Sequence, residues 1–146
     1  MRLLIQRVSE ASVKVDDDVV GAINKGLLVF LGIHRDDTDE SCTYLIKKLL
    51  ALRIFADNDK PLNRTVVESG GSLLVVSQFT LYANCRKGNR PSFSYSMPSV
   101  EAEQMYQRFV AKLKAVSLVG IQTGIFGADM KVSLINDGPV TIILDA

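Results

Sequence analysis

The stretch LLVFL at residues 27–31 decides how this chain folds. An unbroken apolar run of this length is typical of a central strand that is buried on both faces, because each face then needs apolar side chains. The segment NKG at residues 24–26 is a break before it, since Asn and Gly favour turns. The sequence therefore predicts a sheet whose middle strand lies at residues 27–31.

The segments before this run predict a hairpin. Residues 11–15 alternate apolar with polar side chains, which is the period of a half-buried strand. Three aspartates at residues 16–18 form a polar turn, and residues 19–23 return as the partner strand.

Three later segments also have the character of strands. A second apolar run at residues 72–81 follows a Gly-Gly turn and predicts another buried strand. Near the end of the chain, residues 131–135 and 140–144 predict two strands that flank a turn, NDGP, at residues 136–139.

Two segments have the helical spacing of apolar positions instead. Thr38 or Asp39 is the expected N-cap of the first helix, and Ser99 begins the second. The apolar positions are Cys42, Leu45, Ile46, Leu49 and Leu50 in the first, and Ala102, Met105, Tyr106, Phe109, Val110 and Leu113 in the second. Two helices that do not alternate with the strands predict an α+β fold, in which two helices cover a mainly antiparallel, β-barrel-like sheet. We expect one domain, residues 1–146.

Composition narrows the class of function. The 146 residues carry 17 basic and 16 acidic side chains, a net charge of +1, which argues against a protein that coats long nucleic acids and against a DNA-binding role. This charge still allows a protein that binds only a short end of a nucleic acid. Cys42 and Cys85 match no paired spacing, the N-terminal residues turn polar too early for a signal peptide, and no apolar run would span a bilayer. We expect a cytoplasmic protein with no membrane partner.

The sequence lacks the residues that several kinds of catalytic chemistry require. The single histidine, His34, leaves too few ligands for a zinc site built from His and Cys, and no glycine-rich nucleotide cradle is present. We therefore expect neither a metal nor a cofactor. Three alternatives stay open: His34 as a general base, Mg²⁺ on the aspartates at residues 16–18, and a binding module without catalysis.

Three motifs could carry a function. Ser77-Gln78-Phe79-Thr80 places polar groups where a buried strand emerges, a common position for site residues, although such groups can equally bond neighbouring backbone. In the NDGP motif, proline after glycine admits a cis peptide bond, with an ordinary turn as the alternative. The basic segment at residues 86–93 could hold phosphates, or could be a solvated loop.

Taken together, these motifs resemble those of the D-aminoacyl-tRNA deacylases of the bacterial and eukaryotic type. The runs SQFTL at residues 77–81 and NDGPVT at residues 136–141 match the two signatures of that family. Phe79 and Val140 distinguish the chain from a related paralogue, which has Ala in place of Phe79. The matching order covers the chain end to end, through IQRV at 5–8, RPSF at 90–93 and TGIFGADM at 123–130.

The resemblance implies a homodimer that hydrolyses the ester between a D-amino acid and the 3′ end of tRNA. In that family the Gly-Pro bond is cis and the turn of each subunit enters the pocket of its partner. Gly138 and Pro139 would then reject an L side chain by collision, while glycine, including glycine mischarged on tRNA-Ala, would pass. The implied catalytic residues are Ser77, Gln78 and Thr80, and the implied substrate-binding residues are Phe79, Phe126, Met130 and Arg7, the last of which holds the turn.

An aminoacyl ester needs little help to hydrolyse, because it is activated and has a ribose hydroxyl beside it. An oriented substrate and an amide donor for the oxyanion are enough. We favour Thr80 as a positioning group with assistance from the substrate 2′-hydroxyl; the alternative is an acyl-enzyme on Thr80, for which no His, Lys or Asp adjoins it as a base. Lys87 and Arg90 are expected near the phosphates of the tRNA 3′ end.

Overall fold

The computed structural model describes residues 1–146, with six strands, two α-helices and one 3-10 helix, Phe79–Tyr82. In chain order the elements are β1 (Arg2–Val15), β2 (Asp18–Ile23), β3 (Gly26–Gly32), α1 (Asp39–Ala51), β4 (Ser72–Ser77), α2 (Ser99–Val116), β5 (Ile121–Thr123) and β6 (Lys131–Asp145). Both predicted helices and the central strand at residues 27–31 are confirmed, and Thr38 is the N-cap of α1. Neither α-helix combines the length and the apolar character that a membrane-spanning helix needs.

The strands form one curled sheet in the order β2-β1-β3-β4-β5, and β6 also pairs with β1. Residues 2–8 of β1 pair with β3 and residues 11–15 with β2, whereas β6 pairs along almost the whole of β1. Strand β1 pairs antiparallel with β2, β3 and β6, whereas β4 runs parallel to both β3 and β5. The sheet nearly closes where β2 meets β5: a Cβ atom at Gly21 would lie 2.5 Å from the carbonyl oxygen of Thr123. The expected α+β, barrel-like fold is confirmed.

The side chains of β3 alternate between two apolar clusters. Leu27 and Val29 pack with the apolar faces of α1 and α2, whereas Leu28 belongs to a smaller cluster with Val8 and Val13 of β1. This explains the unbroken apolar run, because both faces of β3 are buried. The strand thereby fixes the helices against one face of the sheet.

Two strand predictions need correction. The strand predicted for residues 72–81 ends at Ser77, and the 3-10 helix follows. The last β3–β4 pair is Leu31 with Ser77, and after the amide of Gln78 bonds the carbonyl of Leu31 the backbone hydrogen bonds turn inward, from Leu81 to Gln78, to form the 3-10 helix.

The segments at residues 131–135 and 140–144 do not form a hairpin. They are parts of one strand, β6, because β1 is long enough to pair with both. Gln6 pairs with Thr141 and Val8 pairs with Asn136, so residues 137–140 bulge out opposite Arg7 alone.

Candidate active site

Two cavities open beside the end of β4. The first has a volume of about 390 Å³ and the second about 230 Å³. Ser77, Gln78 and Phe79 line both of them. These residues are fixed by the β3–β4 pairing that ends at Ser77, so the partition between the two cavities rests on the sheet.

The walls of the first cavity come from distant parts of the chain. Leu31 of β3, Ala102 of α2 and Phe126 of the β5–β6 loop all line it. Phe126 packs against Tyr106 with ring centroids 5.7 Å apart, and Phe79 meets Phe93 edge-on at 4.8 Å. The cavity is thus mostly apolar, with a few polar groups at residues 77–78, as small-molecule sites usually are.

Met130 lies in the second cavity instead. It lines that cavity with Val76, Ala128 and Val132, whereas Phe126 lines the first. The structure therefore places Phe126 and Met130 in different cavities, both of which are also lined by Ser77, Gln78 and Phe79.

Thr80 is exposed and lines neither cavity. Its Oγ1 accepts a hydrogen bond from Nε2 of Gln78, an amide that cannot act as a base. The first hydrogen bond of the 3-10 helix runs from the amide of Leu81 to the carbonyl of Gln78 at 3.2 Å. The amides of Phe79 and Thr80 precede that bond, so they have no acceptor within the helix.

The bulge at residues 137–140 is held from below by Arg7. The side chain of Arg7 is 12% exposed; its Nε donates to the carbonyl of Asp137 at 2.9 Å and its Nη1 to the carbonyl of Ile54 at 2.6 Å. Oδ1 of Asn136 accepts a hydrogen bond from the backbone amide of Val140 at 3.0 Å, and this bond closes the bulge.

Gly138 occupies a position that only glycine fits. Its φ is +136°, and an added Cβ would lie 2.8 Å from Cγ2 of Val140 and 2.9 Å from Nη2 of Arg7. The Gly138–Pro139 peptide bond is cis, as the resemblance implies. Both residues are exposed and line neither cavity of their own chain.

Lys87 and Arg90 lie in an exposed loop and line neither cavity. The base of the loop is closed by two backbone hydrogen bonds between Asn84 and Ser92, at 2.8 and 3.0 Å. Gly88, at φ +71°, provides the turn between the two basic side chains.

The other candidates lie elsewhere. His34 lines neither cavity; its Nδ1 accepts the amide of Asp36 at 3.2 Å. Asp16 and Asp17 have φ values of 47° and 69° and form the β1–β2 turn. No three His, Cys, Asp or Glu side chains lie close enough together to hold a metal ion.

The residues of the first cavity that the sequence analysis did not single out as site residues include Ser96 and Met97. Ser96 Oγ donates to the carbonyl of Phe79 at 3.1 Å, which ties the 3-10 helix to the loop before α2. Neither residue belongs to a motif, so no local signal marked them.

The family model for D-Tyr-tRNA(Tyr) deacylase matches residues 4–145, almost the whole chain. The chain belongs to the D-Tyr-tRNA(Tyr) deacylase family. The D-aminoacyl-tRNA deacylase of Thermotoga petrophila is 51% identical over 146 residues, covering 100% of this chain and 97% of its own. That of Chlorobaculum parvum is 53% identical, with 100% and 98% covered.

Solved structures of the same fold include the c-Myc DNA Unwinding Element Binding Protein, with a TM-score of 0.95 and 39% identity over 100% of this chain and 99% of that one. A probable eukaryotic D-amino acid tRNA deacylase has a TM-score of 0.79 over 99% and 98% of the two chains, and at 21% identity shows the fold alone. The predicted family is confirmed: in this deacylase-family chain the two signature runs form the cavity partition and the bulge above Arg7.

Proposed function

We propose that this chain hydrolyses the ester between a D-amino acid and the 3′-terminal adenosine of tRNA, releasing both, and that it removes glycine in the same way, including glycine mischarged on tRNA-Ala. The observation that carries the proposal is the position of the family signature: Ser77, Gln78 and Phe79 form the edge of an apolar cavity of about 390 Å³. That volume lies within the range of sites for small ligands.

The cavity offers the chemistry that this ester needs. The amide of Phe79, a residue that lines both cavities, can donate to the oxyanion that forms on the ester carbonyl, where a preorganised donor is worth about 3 kcal/mol. Ser77 and Gln78 orient the substrate, whose own 2′-hydroxyl assists the attack of water. Phe79, Phe126 and Met130 supply the apolar walls for the adenosine and the aminoacyl group.

Thr80 acts by position. A threonine nucleophile needs a base to take its proton. The only hydrogen-bond partner of its hydroxyl here is the Gln78 amide, which supports positioning over the alternative of an acyl-enzyme.

The rejection of L substrates by the Gly138-Pro139 turn, which we call the chiral screen, works between the subunits of a homodimer. Gly138 and Pro139 line neither cavity of their own chain, so their contact with substrate requires a partner's pocket. Strand β6 has β1 as its single neighbour, which leaves the outer edge of a 15-residue strand free for a second copy. The carbonyls of the turn would fix the α-amino group, so an L side chain collides with the turn whereas a D side chain or glycine does not.

The remaining expectations fit this reaction. Lys87 and Arg90 contact phosphates of the tRNA 3′ end, a small footprint that suits the net charge of +1. The enzyme acts in the cytoplasm, as one domain over residues 1–146, and its own residues suffice without a metal or cofactor.

Release of amino acid from charged tRNA by the purified protein tests the proposal. D-Tyr-tRNA should be hydrolysed and L-Tyr-tRNA spared, and the activity should survive exhaustive chelation. Absence of turnover on D-Tyr-tRNA would support a binding module without catalysis; loss on chelation would support a metal-dependent esterase.

Mixed dimers test the screen. One chain carries Gln78→Ala, which damages its pocket, and the other carries Gly138→Ala, which damages its turn. If the turn acts in the partner's pocket, the intact pocket of the mixed dimer receives the intact turn and is stereoselective. If the turn acts in its own chain, the active pocket is the one beside the damaged turn, and L-Tyr-tRNA is cleaved as well.

A further inference from the structure

A third cavity, of about 470 Å³, lies beside the same 3-10 helix and has no role in the reaction described above. Its lining includes Arg2, Tyr82, Arg86 and Tyr95, and we name it the arginine-tyrosine cleft. We propose that this cleft binds the nucleotides that precede the terminal adenosine at the single-stranded 3′ end of tRNA. The proposal rests on the proposed function and extends it to the substrate beyond its last nucleoside.

Two of the residues that line the cleft, Tyr82 and Tyr95, pack against the ring of His34. The ring of His34 lies 5.1 Å from that of Tyr82, edge-on, and 5.9 Å from that of Tyr95, almost parallel at 16°. His34 therefore acts as a spacer that holds two tyrosines apart. Tyr95 is still 43% exposed, so a ligand in the cleft can reach its side chain although His34 packs on the ring and Arg35 lies over it. Exposed aromatic rings of this kind are what single-stranded nucleic acids stack on, whatever the base.

Guanidinium groups surround these rings. Arg2 lies 5.4 Å over the ring of Tyr82, and Arg35 lies 5.8 Å over that of Tyr95. Arg2 is paired with Asp145 at 2.7 Å, whereas Arg86 forms no ion pair and is exposed. The free charge of the cleft is thus carried mainly by Arg86, and a phosphate diester is the ligand that a free guanidinium beside stacked rings fits best.

The cleft adjoins the proposed active site. Phe79 lines the first cavity and Tyr82 lines the cleft, and they are three residues apart in a 3-10 helix. Residues at that spacing share one face, about 6 Å apart along the axis. On the facing loop, Ser96 lines the first cavity and its neighbour Tyr95 lines the cleft. An RNA strand whose last adenosine occupies the first cavity therefore reaches the cleft with its next one or two nucleotides.

Comparing a full substrate with a truncated one tests this. D-Tyr-tRNA contains the preceding nucleotides, whereas D-tyrosyl-adenosine ends at the nucleoside. Combining Tyr95→Ala with Arg86→Ala should raise KM for D-Tyr-tRNA about tenfold, the loss expected for one stacked base, and should change kcat/KM for D-tyrosyl-adenosine less than about twofold. Tyr95→Phe, which keeps the ring, should restore the KM of the Tyr95→Ala variant to the wild-type value. Lys47→Ala is the control, since Lys47 lies on α1 in a groove that shares no residue with the cleft.

An unchanged KM for D-Tyr-tRNA in the double variant would overturn the proposal. So would an equal loss on both substrates, because that loss would belong to the first cavity. A binding measurement keeps this outcome separate from failure of the proposed function: a fluorescent RNA tetranucleotide ending in CCA is titrated without any hydrolysis. The wild type should bind it more tightly than adenosine, and the double variant should lose that difference; equal affinities in the wild type would refute the cleft even if tRNA hydrolysis were observed.

Discussion

Arg7 and Asp137 are joined by a 2.9 Å hydrogen bond from the guanidinium Nε to the backbone carbonyl oxygen. Arg7 is also the one residue of β1 that faces the four-residue bulge at 137–140. The same guanidinium donates to Ile54, so a single side chain couples the bulge to the loop after α1. The position of Gly138 and Pro139 therefore depends on Arg7 as well as on the turn's own residues, Asn136 and Gly138.

Arg7→Ala should impair the discrimination between D and L substrates. Loss of charged hydrogen bonds to backbone carbonyls is worth about 1.5–3 kcal/mol each, which permits at least a tenfold fall in the D-over-L ratio of kcat/KM. Arg53→Ala is the matched control, because Arg53 donates to the carbonyl of Asn63 at 2.6 Å in the same loop but does not contact the bulge. Equal effects of the two substitutions would show that the loop, and not the Arg7 contact, controls selectivity.

Thr80→Ala should retain activity on D-Tyr-tRNA within about tenfold of the wild type, since a positioning hydroxyl contributes less than a nucleophile. A substrate with a 2′-deoxy terminal adenosine should not be hydrolysed. Rates under single-turnover conditions check both expectations. Detection of an acyl group on Thr80 by mass spectrometry would establish the acyl-enzyme route instead.

Glycyl-tRNA should be hydrolysed at a rate similar to that of D-Ala-tRNA, while L-Ala-tRNA is spared. Rejection by collision with a backbone turn acts on an L side chain, and glycine has none. Single-turnover rates on the three substrates decide the matter. If glycine were spared like L-alanine, selection would have to rest on attractive contacts to a D side chain.

Replacing Lys87 and Arg90 together with alanine should weaken tRNA binding without altering stereoselectivity. Each phosphate contact contributes about 0.7 to the slope of log K against log salt for a single strand, so the slope should fall by about 1.4. Lys47→Ala with Lys48→Ala on α1 removes the same charge away from both cavities and should leave the slope unchanged. A changed D-over-L ratio with a normal slope would place the two loop residues in the pocket.

Tyr106→Phe should lower the free energy of unfolding by only about 1 kcal/mol. The hydroxyl of Tyr106 donates to the carbonyl of Val75 at 3.0 Å, but that carbonyl also accepts the amide of Gly124 at 3.1 Å and so keeps a partner.

Tyr106 also makes the free energy of unfolding decrease at alkaline pH. Burial raises the pKa of Tyr106 from 10 to about 12, so the neutral phenol stabilises the native state fully below pH 10, and this contribution is lost as the pH rises towards 12. Urea unfolding of the wild type and of Tyr106→Phe between pH 8 and 11.5 measures it. The variant should lose less stability over that interval; identical slopes would contradict the assignment.

Much of this molecule follows from local sequence. The run at residues 27–31 is apolar at every position because β3 is buried on both faces, and the apolar positions of α1 and α2 recur at helical spacing because each helix covers the sheet with one face. The family was also evident from the sequence, since its signature runs at residues 77–81 and 136–141 are contiguous in the chain.

Only the tertiary structure decided how those runs are used. The NDGP run has the composition of a hairpin turn, yet it bulges from one continuous strand, because a 14-residue β1 offers backbone partners on both sides of it. Phe126 and Met130, four residues apart, face different cavities, and Ser96 joins the first cavity from a loop with no motif. These outcomes depend on pairing and packing between residues far apart in sequence. Local sequence patterns do not specify such contacts.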